Sequence, residues 1–105
     1  MVAVDAKEIA IALGYSYLDC NYGEWKDNSG TIKTMNSMSE KYLSNCVNFI
    51  NRGIKEIEEG KIDVEIKDKI KSFSKKRKIS DECLETVKSQ MVSVLKFKRE
   101  QIEEV

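Results

Sequence analysis

The chain has 105 residues, of which 41% are hydrophobic and 34% charged, and its 18 basic residues balance 18 acidic ones. That length fits one domain with a modest core and no need of covalent staples, and hydrophobic residues spread along the whole chain exclude disorder. The charge balance argues against one dominant electrostatic role such as nucleic-acid mimicry, although residues 1–60 carry six basic against nine acidic residues and 61–105 carry twelve against nine.

The opening stretch, residues 1–14, has an acid at position 5, no basic segment ahead of its apolar residues, and too short an apolar run to cross a bilayer. It reads as a short amphipathic helix rather than a signal peptide, and the expectation is a cytoplasmic protein of the host cell with no membrane contact. Asp5 with Glu8 three residues on has the form of a capping box. Gly14 is the expected left-handed residue that ends the helix.

Tyr15, Tyr17, Tyr22 and Trp25 then introduce β-favouring residues beside Asp27-Asn28-Ser29-Gly30, a strong turn signal. A short hairpin is predicted from Glu24–Lys26 and Thr31–Thr34. A lone hairpin is marginal in water, so this one must lean on helices.

Ser37 with Glu40 suggests a second capping box. Beyond it, Leu43, Cys46, Val47, Ile50, Ile54 and Ile57 recur on one helical face, widened by Met38, Tyr42 and Phe49. Gly53 sits inside the pattern at a cost of about 1 kcal/mol relative to Ala, which allows a kink or break there. Gly60 is the expected stop. Asp63 would cap a third helix with Ile66, Ile70 and Phe73 inward; the alternation over 62–66 also permits a strand, but the helical spacing runs further.

The last helix has the clearest local signals. Ser80 is the N-cap, Asp81 and Glu82 lie where the helix dipole favours them, and Ile79 can staple onto Leu84. Leu84, Val87, Met91, Val94, Leu95 and Ile102 mark about six turns, a stripe that would serve a monomeric core or a homodimer. The fold class is therefore mainly α (α+β): about four helices with one short β-hairpin after the first, in a single domain, 1–105.

Catalytic chemistry finds little purchase. The acids lie at helix starts or on solvated faces, where capping and solubility explain them, and general acid–base work needs carboxylates held in a pocket. The chain has three cysteines and no histidine. Cys20, Cys46 and Cys83 thus lack the usual base partner of a thiol nucleophile, and read as small buried hydrophobes. Their odd number and wide spacing also oppose a disulfide framework or a Cys/His zinc site, and favour a reducing compartment. Neither enzyme activity, nor a cofactor, nor a metal is expected.

Two surfaces remain. Residues 67–78 hold Lys67, Lys69, Lys71, Lys75, Lys76, Arg77 and Lys78 against Asp68 alone. Such a run can hold the phosphates of nucleic acid or of a ribonucleoprotein, chiefly through Lys67, Lys71, Lys75, Lys76, Arg77 and Lys78. The competing reading, favoured by the neutrality of the whole protein, is a solvated helix end whose cations suit the dipole. Tyr15, Tyr17, Tyr22 and Trp25 form the second, a candidate partner-binding group; the competing role of those rings is to pack the hairpin onto the helices.

Over Trp25–Asn45, the residues Trp25, Gly30, Ile32, Met38, Tyr42, Leu43 and Asn45 resemble a segment of small phage and prophage proteins. In that family a Trp, a turn ending in Gly, an Ile-containing strand and a Met-containing cap lead into a helix that begins Tyr/His-Leu-x-Asn. The likeness spans about a fifth of the chain, and Tyr42 stands where many members carry His. It implies a phage-type protein that binds without catalysis. The leading expectation is an inhibitor of a host defence complex, of the anti-CRISPR kind, docking on a host protein or ribonucleoprotein. The alternative is a small nucleic-acid-binding accessory protein of phage DNA metabolism or transcription.

Overall fold

The computed structural model describes residues 5–105; the first four residues of the N-terminal stretch lie outside the described residues. Helix α1 (Ala6–Ala12) begins where the Asp5 carboxylate accepts the amides of Lys7 (2.9 Å) and Glu8 (3.3 Å). It ends as expected at Gly14, φ +110°, where the amides of Gly14 and Tyr15 bond back to the carbonyls of Ile11 and Ala10 at 3.1 Å. A 3-10 turn (Ser16–Leu18) leads to the antiparallel strands β1 (Glu24–Lys26) and β2 (Ile32–Thr34), with Trp25 opposite Lys33. The turn between them is organised by Asp27, whose carboxylate accepts the amides of Ser29 and Thr31 at 3.0 Å.

Helix α2 (Glu40–Glu58) starts two residues later than the sequence suggested. Its cap is Ser39, which accepts the Tyr42 amide at 3.2 Å. Ser37 belongs to a 3-10 turn (Met35–Ser37) and donates its hydroxyl to the Thr34 carbonyl at 2.7 Å, while Met38 stays extended and delays the helix. Helix α3 (Asp63–Ser74) confirms helix over strand at 62–66, but Asp63 is its first residue and not its cap. The Asp63 carboxylate instead meets Lys88 of α4 at 3.0 Å. Helix α4 (Asp81–Glu103) is capped by Ser80 as read, through the Cys83 amide at 3.1 Å.

Helices α2 and α4 form the principal pair, α1 packs on α4, and α3 packs on both α1 and α4. One apolar cluster joins all of these elements. Ile50 and Ile57 of α2, Ile66 and Ile70 of α3, and Met91 and Leu95 of α4 are fully buried within it. Because the α4 stripe is consumed inside the protomer, a homodimer would need another surface. Phe73, expected inward, is 47% exposed: the last turn of α3 runs past the edge of the core. No helix among the described residues is long and apolar enough to cross a membrane.

Three-residue strands cannot hold themselves in place, and two contacts fix the hairpin. The first comes from α4. The Lys98 ammonium, on a residue 4% exposed, donates to the carbonyl of Glu24 at 2.8 Å and lies 3.4 Å from that of Asn21, while Gln101 accepts the Gly23 amide at 2.9 Å. The second is on α2. Helix α2 runs unbroken through Gly53, without the break that a glycine there allowed, and a missing side chain is what the packing needs. A Cβ there would lie 2.9 Å from both Leu95 Cδ2 and Tyr15 Cε1, and 3.1 Å from the Tyr17 hydroxyl.

Gly53→Ala sets a helix-propensity gain of about 1 kcal/mol against overpacking on three sides at roughly 1–3 kcal/mol. Leu95 is fully buried and cannot yield freely, so urea denaturation should show a net loss of about 1 kcal/mol. A variant more stable than the parent would mean that the aromatic loop does not press on α2.

Candidate functional site

Where the hairpin meets α2 lies a half-open cavity of about 530 Å³. Its hairpin wall is built on Trp25, buried at the centre of β1, whose ring stacks on Tyr17 with centroids 4.6 Å apart and planes 4° from parallel. Tyr15 lies 6.1 Å from Tyr17 at a tilt of 57°. The opposite wall carries Tyr42, Phe49, Arg52 and Glu56, which α2 presents on the flank of its apolar stripe. The Arg52 guanidinium rests over the Phe49 ring at 4.9 Å, and Lys33 over Tyr42 at 4.6 Å.

Tyr17 is 8% exposed, and its hydroxyl has no hydrogen-bond partner among the described residues. Buried polar groups are almost always paired, so an orphaned one marks a place where structure has yielded to something else. Burial, and after it the Glu56 carboxylate, raises the Tyr15 hydroxyl to about 12. Tyr17 moves further in the same direction, chiefly by burial, then through Tyr15 and Glu56. Lys26 pairs with Asp19 at 2.8 Å and Asp27 with Lys33 at 3.7 Å, whereas Arg52 and Glu56 have no ion-pair partner within 4 Å among the described residues.

The four aromatic residues singled out in the sequence do not form one surface. Trp25 is 5% exposed, and with Tyr17 it belongs to the core, so neither is an exposed partner contact; Tyr15 is half-buried on the cavity. Tyr22 alone is open, at 61% exposure. It meets Phe97 edge-on at 5.8 Å, donates its hydroxyl to Glu104, and borders a second cavity of about 460 Å³. Arg52 and Phe97 were not among the candidates read from the sequence, and Glu56 counted there only as an acid on a solvated face. Phe49, Arg52 and Glu56 do recur at i, i+3 and i+7, which would have placed them along one side of a helix.

The basic segment is open to solvent. Lys71, Lys75, Lys76, Arg77 and Lys78 are all exposed, and none has a carboxylate within 4 Å among the described residues. Lys67 is half-buried, with Asp81 at 3.9 Å. Lys75 adopts the left-handed conformation, φ +58°, and returns its amide to the Lys71 carbonyl at 2.8 Å, so α3 ends and four cations follow in an irregular connection. Phe73 stands beside them.

The thiols are free and scattered. Cys46 is buried, which pushes its thiol up to about 11 against a small opposing pull from Lys33; it is the small hydrophobe expected. Cys83 is half-buried against the core. Cys20 is half-buried too, within 3.2 Å of the Tyr17 and Glu24 carbonyls and 3.4 Å from Lys98.

No protein-family model, curated protein or solved structure matches the chain.

The shifted tyrosines give a pH dependence with a definite sign. Above pH 10 the unfolded chain releases phenolic protons that folded Tyr15 holds to about 12 and Tyr17 holds further still. The native state then binds more protons than the unfolded state, and stability falls as pH rises. Phenolate absorbance should show at least two of the four tyrosines ionising only as the protein unfolds. Simultaneous titration of all four near pH 10 in a folded protein would contradict this burial.

Proposed function

We propose that the protein is a non-catalytic binding protein of the phage-inhibitor kind, docking on a host defence ribonucleoprotein such as a CRISPR–Cas effector and occluding it. The supporting observation is the connection after α3. Four exposed cations there, with Lys71 just before them, have no carboxylate within 4 Å among the described residues, in a protein of zero net charge. Only Lys71 lies in the last turn of the helix, so the dipole accounts for little of the cluster. Unneutralised cations on an irregular segment suit phosphate, and a ribonucleoprotein offers phosphate beside protein. The exposed Tyr22–Phe97 pair supplies aromatic area of the type enriched at protein contacts.

The same cations support a second reading, a nucleic-acid-binding accessory protein, and the two differ in what they need. Expression in cells with an active CRISPR–Cas system should restore plaques of a targeted phage, and reversal of Lys75, Lys76, Arg77 and Lys78 to Glu should abolish the effect while the protein stays folded. Failure of the parent chain to protect the phage against the effector types tried would remove the inhibitor reading. Naked nucleic acid bound with a log–log salt slope of about −3 to −4, as four phosphate contacts would give, would favour the second.

A further inference from the structure

We propose that α3 is a flap, opening as a unit about Gly60 and Lys75 while α1, α2, α4 and the hairpin stay packed, with the Asp63–Lys88 ion pair as its catch. The first reason is how α3 is attached. Of its twelve residues two are buried, Ile66 and Ile70, against three of seven in α1, five of nineteen in α2 and eight of twenty-three in α4. Val64 and Phe73 stay outside the core, at 69% and 47% exposure. Burial of an apolar face is what docks a helix, so the helix with the smallest buried share is the easiest to release.

The second reason lies at its ends. Gly60 (φ +76°) and Lys75 (φ +58°) bracket α3, both in the left-handed region. Among the described residues Lys75 is the only non-glycine with a positive φ. Gly60 can change its backbone state with little steric restriction, and at Lys75 a change relieves a conformation that a side chain disfavours. Hinges are a few terminal residues of this kind, which absorb the rotation of the element between them.

One charged pair holds the flap down. Asp63 Oδ1 is buried and lies 3.0 Å from the Lys88 ammonium, without the alignment of a hydrogen bond. Lys88 is 8% exposed, and its other carboxylate, Glu85 of the same helix, is 3.5 Å away on a side chain 68% exposed. A buried ammonium that loses its counter-charge is strongly disfavoured, which keeps α3 closed over it. The further ion pair from α3 among the described residues, Lys67–Asp81 at 3.9 Å, has Asp81 97% exposed and contributes little. Opening uncovers Lys88 and the flank of α1 and α4 on which α3 packs. It also resets the start of the basic connection, because Lys75 belongs to both. The proposal stands apart from what that connection binds.

Native-state hydrogen exchange at low urea tests the flap. The amides of Ile66 and Ile70 should exchange through a partial opening, at least about tenfold faster than that of Met91 in α4. Their rates should also depend less on urea, since the flap exposes less surface than unfolding does. Ile50→Val, in the part that stays packed, should speed exchange at Met91 about fivefold and leave Ile66 and Ile70 unchanged. Asp63→Asn keeps the shape, removes the charge and should speed exchange at Ile66 and Ile70 about tenfold. The flap is overturned if Ile66 and Ile70 match Met91 in rate and urea dependence, or if Ile50→Val moves all three together. The catch is overturned if Asp63→Asn leaves exchange in α3 at the parent rate.

Discussion

A lysine ammonium buried among backbone carbonyls holds this structure in its arrangement. Lys98 is 4% exposed and has no carboxylate within 4 Å among the described residues. Burying an isolated ammonium costs several kcal/mol unless its protons are taken up. Here they are taken up by the Glu24 carbonyl at 2.8 Å, Gln101 at 3.3 Å, and the Asn21 carbonyl and Cys20 sulfur at 3.4 Å. The exchange works in both directions. The charge is tolerated because the loop before β1 turns its carbonyls inward, and that loop keeps its shape because the charge is there.

From that clamp the rest follows in order. The hairpin has too little pairing to stand alone, and Lys98 with Gln101 ties its entry to α4. Once it is tied, Trp25 lies in the core with Tyr17 stacked upon it, and Tyr15 is pressed towards α2. Gly53 gives that pressure somewhere to go. The hairpin and α2 cannot close fully over two stacked rings, and the cavity is what remains between them. The orphaned Tyr17 hydroxyl, packed against α2 rather than open to that space, is a product of the same packing that secures the hairpin. Sites that break a local rule of structure are where function is most often found.

Much of the fold was legible because helices and caps are local. Asp5, Gly14, Gly60 and Ser80 acted where their chemistry placed them, since each bonds to backbone within a few residues. Errors arose where a residue's partner lay elsewhere. Asp63 looked like a cap but faces Lys88. Ser37 was drawn into a 3-10 turn that the sequence does not announce. Phe73 fits the helical period yet lies beyond the core, because periodicity says which face a residue occupies and not where the neighbouring helix ends. The site was least legible of all. Trp25 and Tyr17 read as packing residues or as contacts until burial decided for packing, and the Lys98 clamp joins residues more than seventy positions apart.

The central claim, that α4 holds the hairpin through a polar clamp, is tested most directly at the Gly23 amide. This backbone group sits in a loop, and its acceptor is the Gln101 side chain at 2.9 Å rather than a strand partner. Under native-state hydrogen exchange it should be protected to nearly the extent of the α4 core amides around Leu95, opening only with global unfolding. Exchange at the rate of an exposed loop amide would show that the clamp is not formed, and the position of the hairpin would then need another cause.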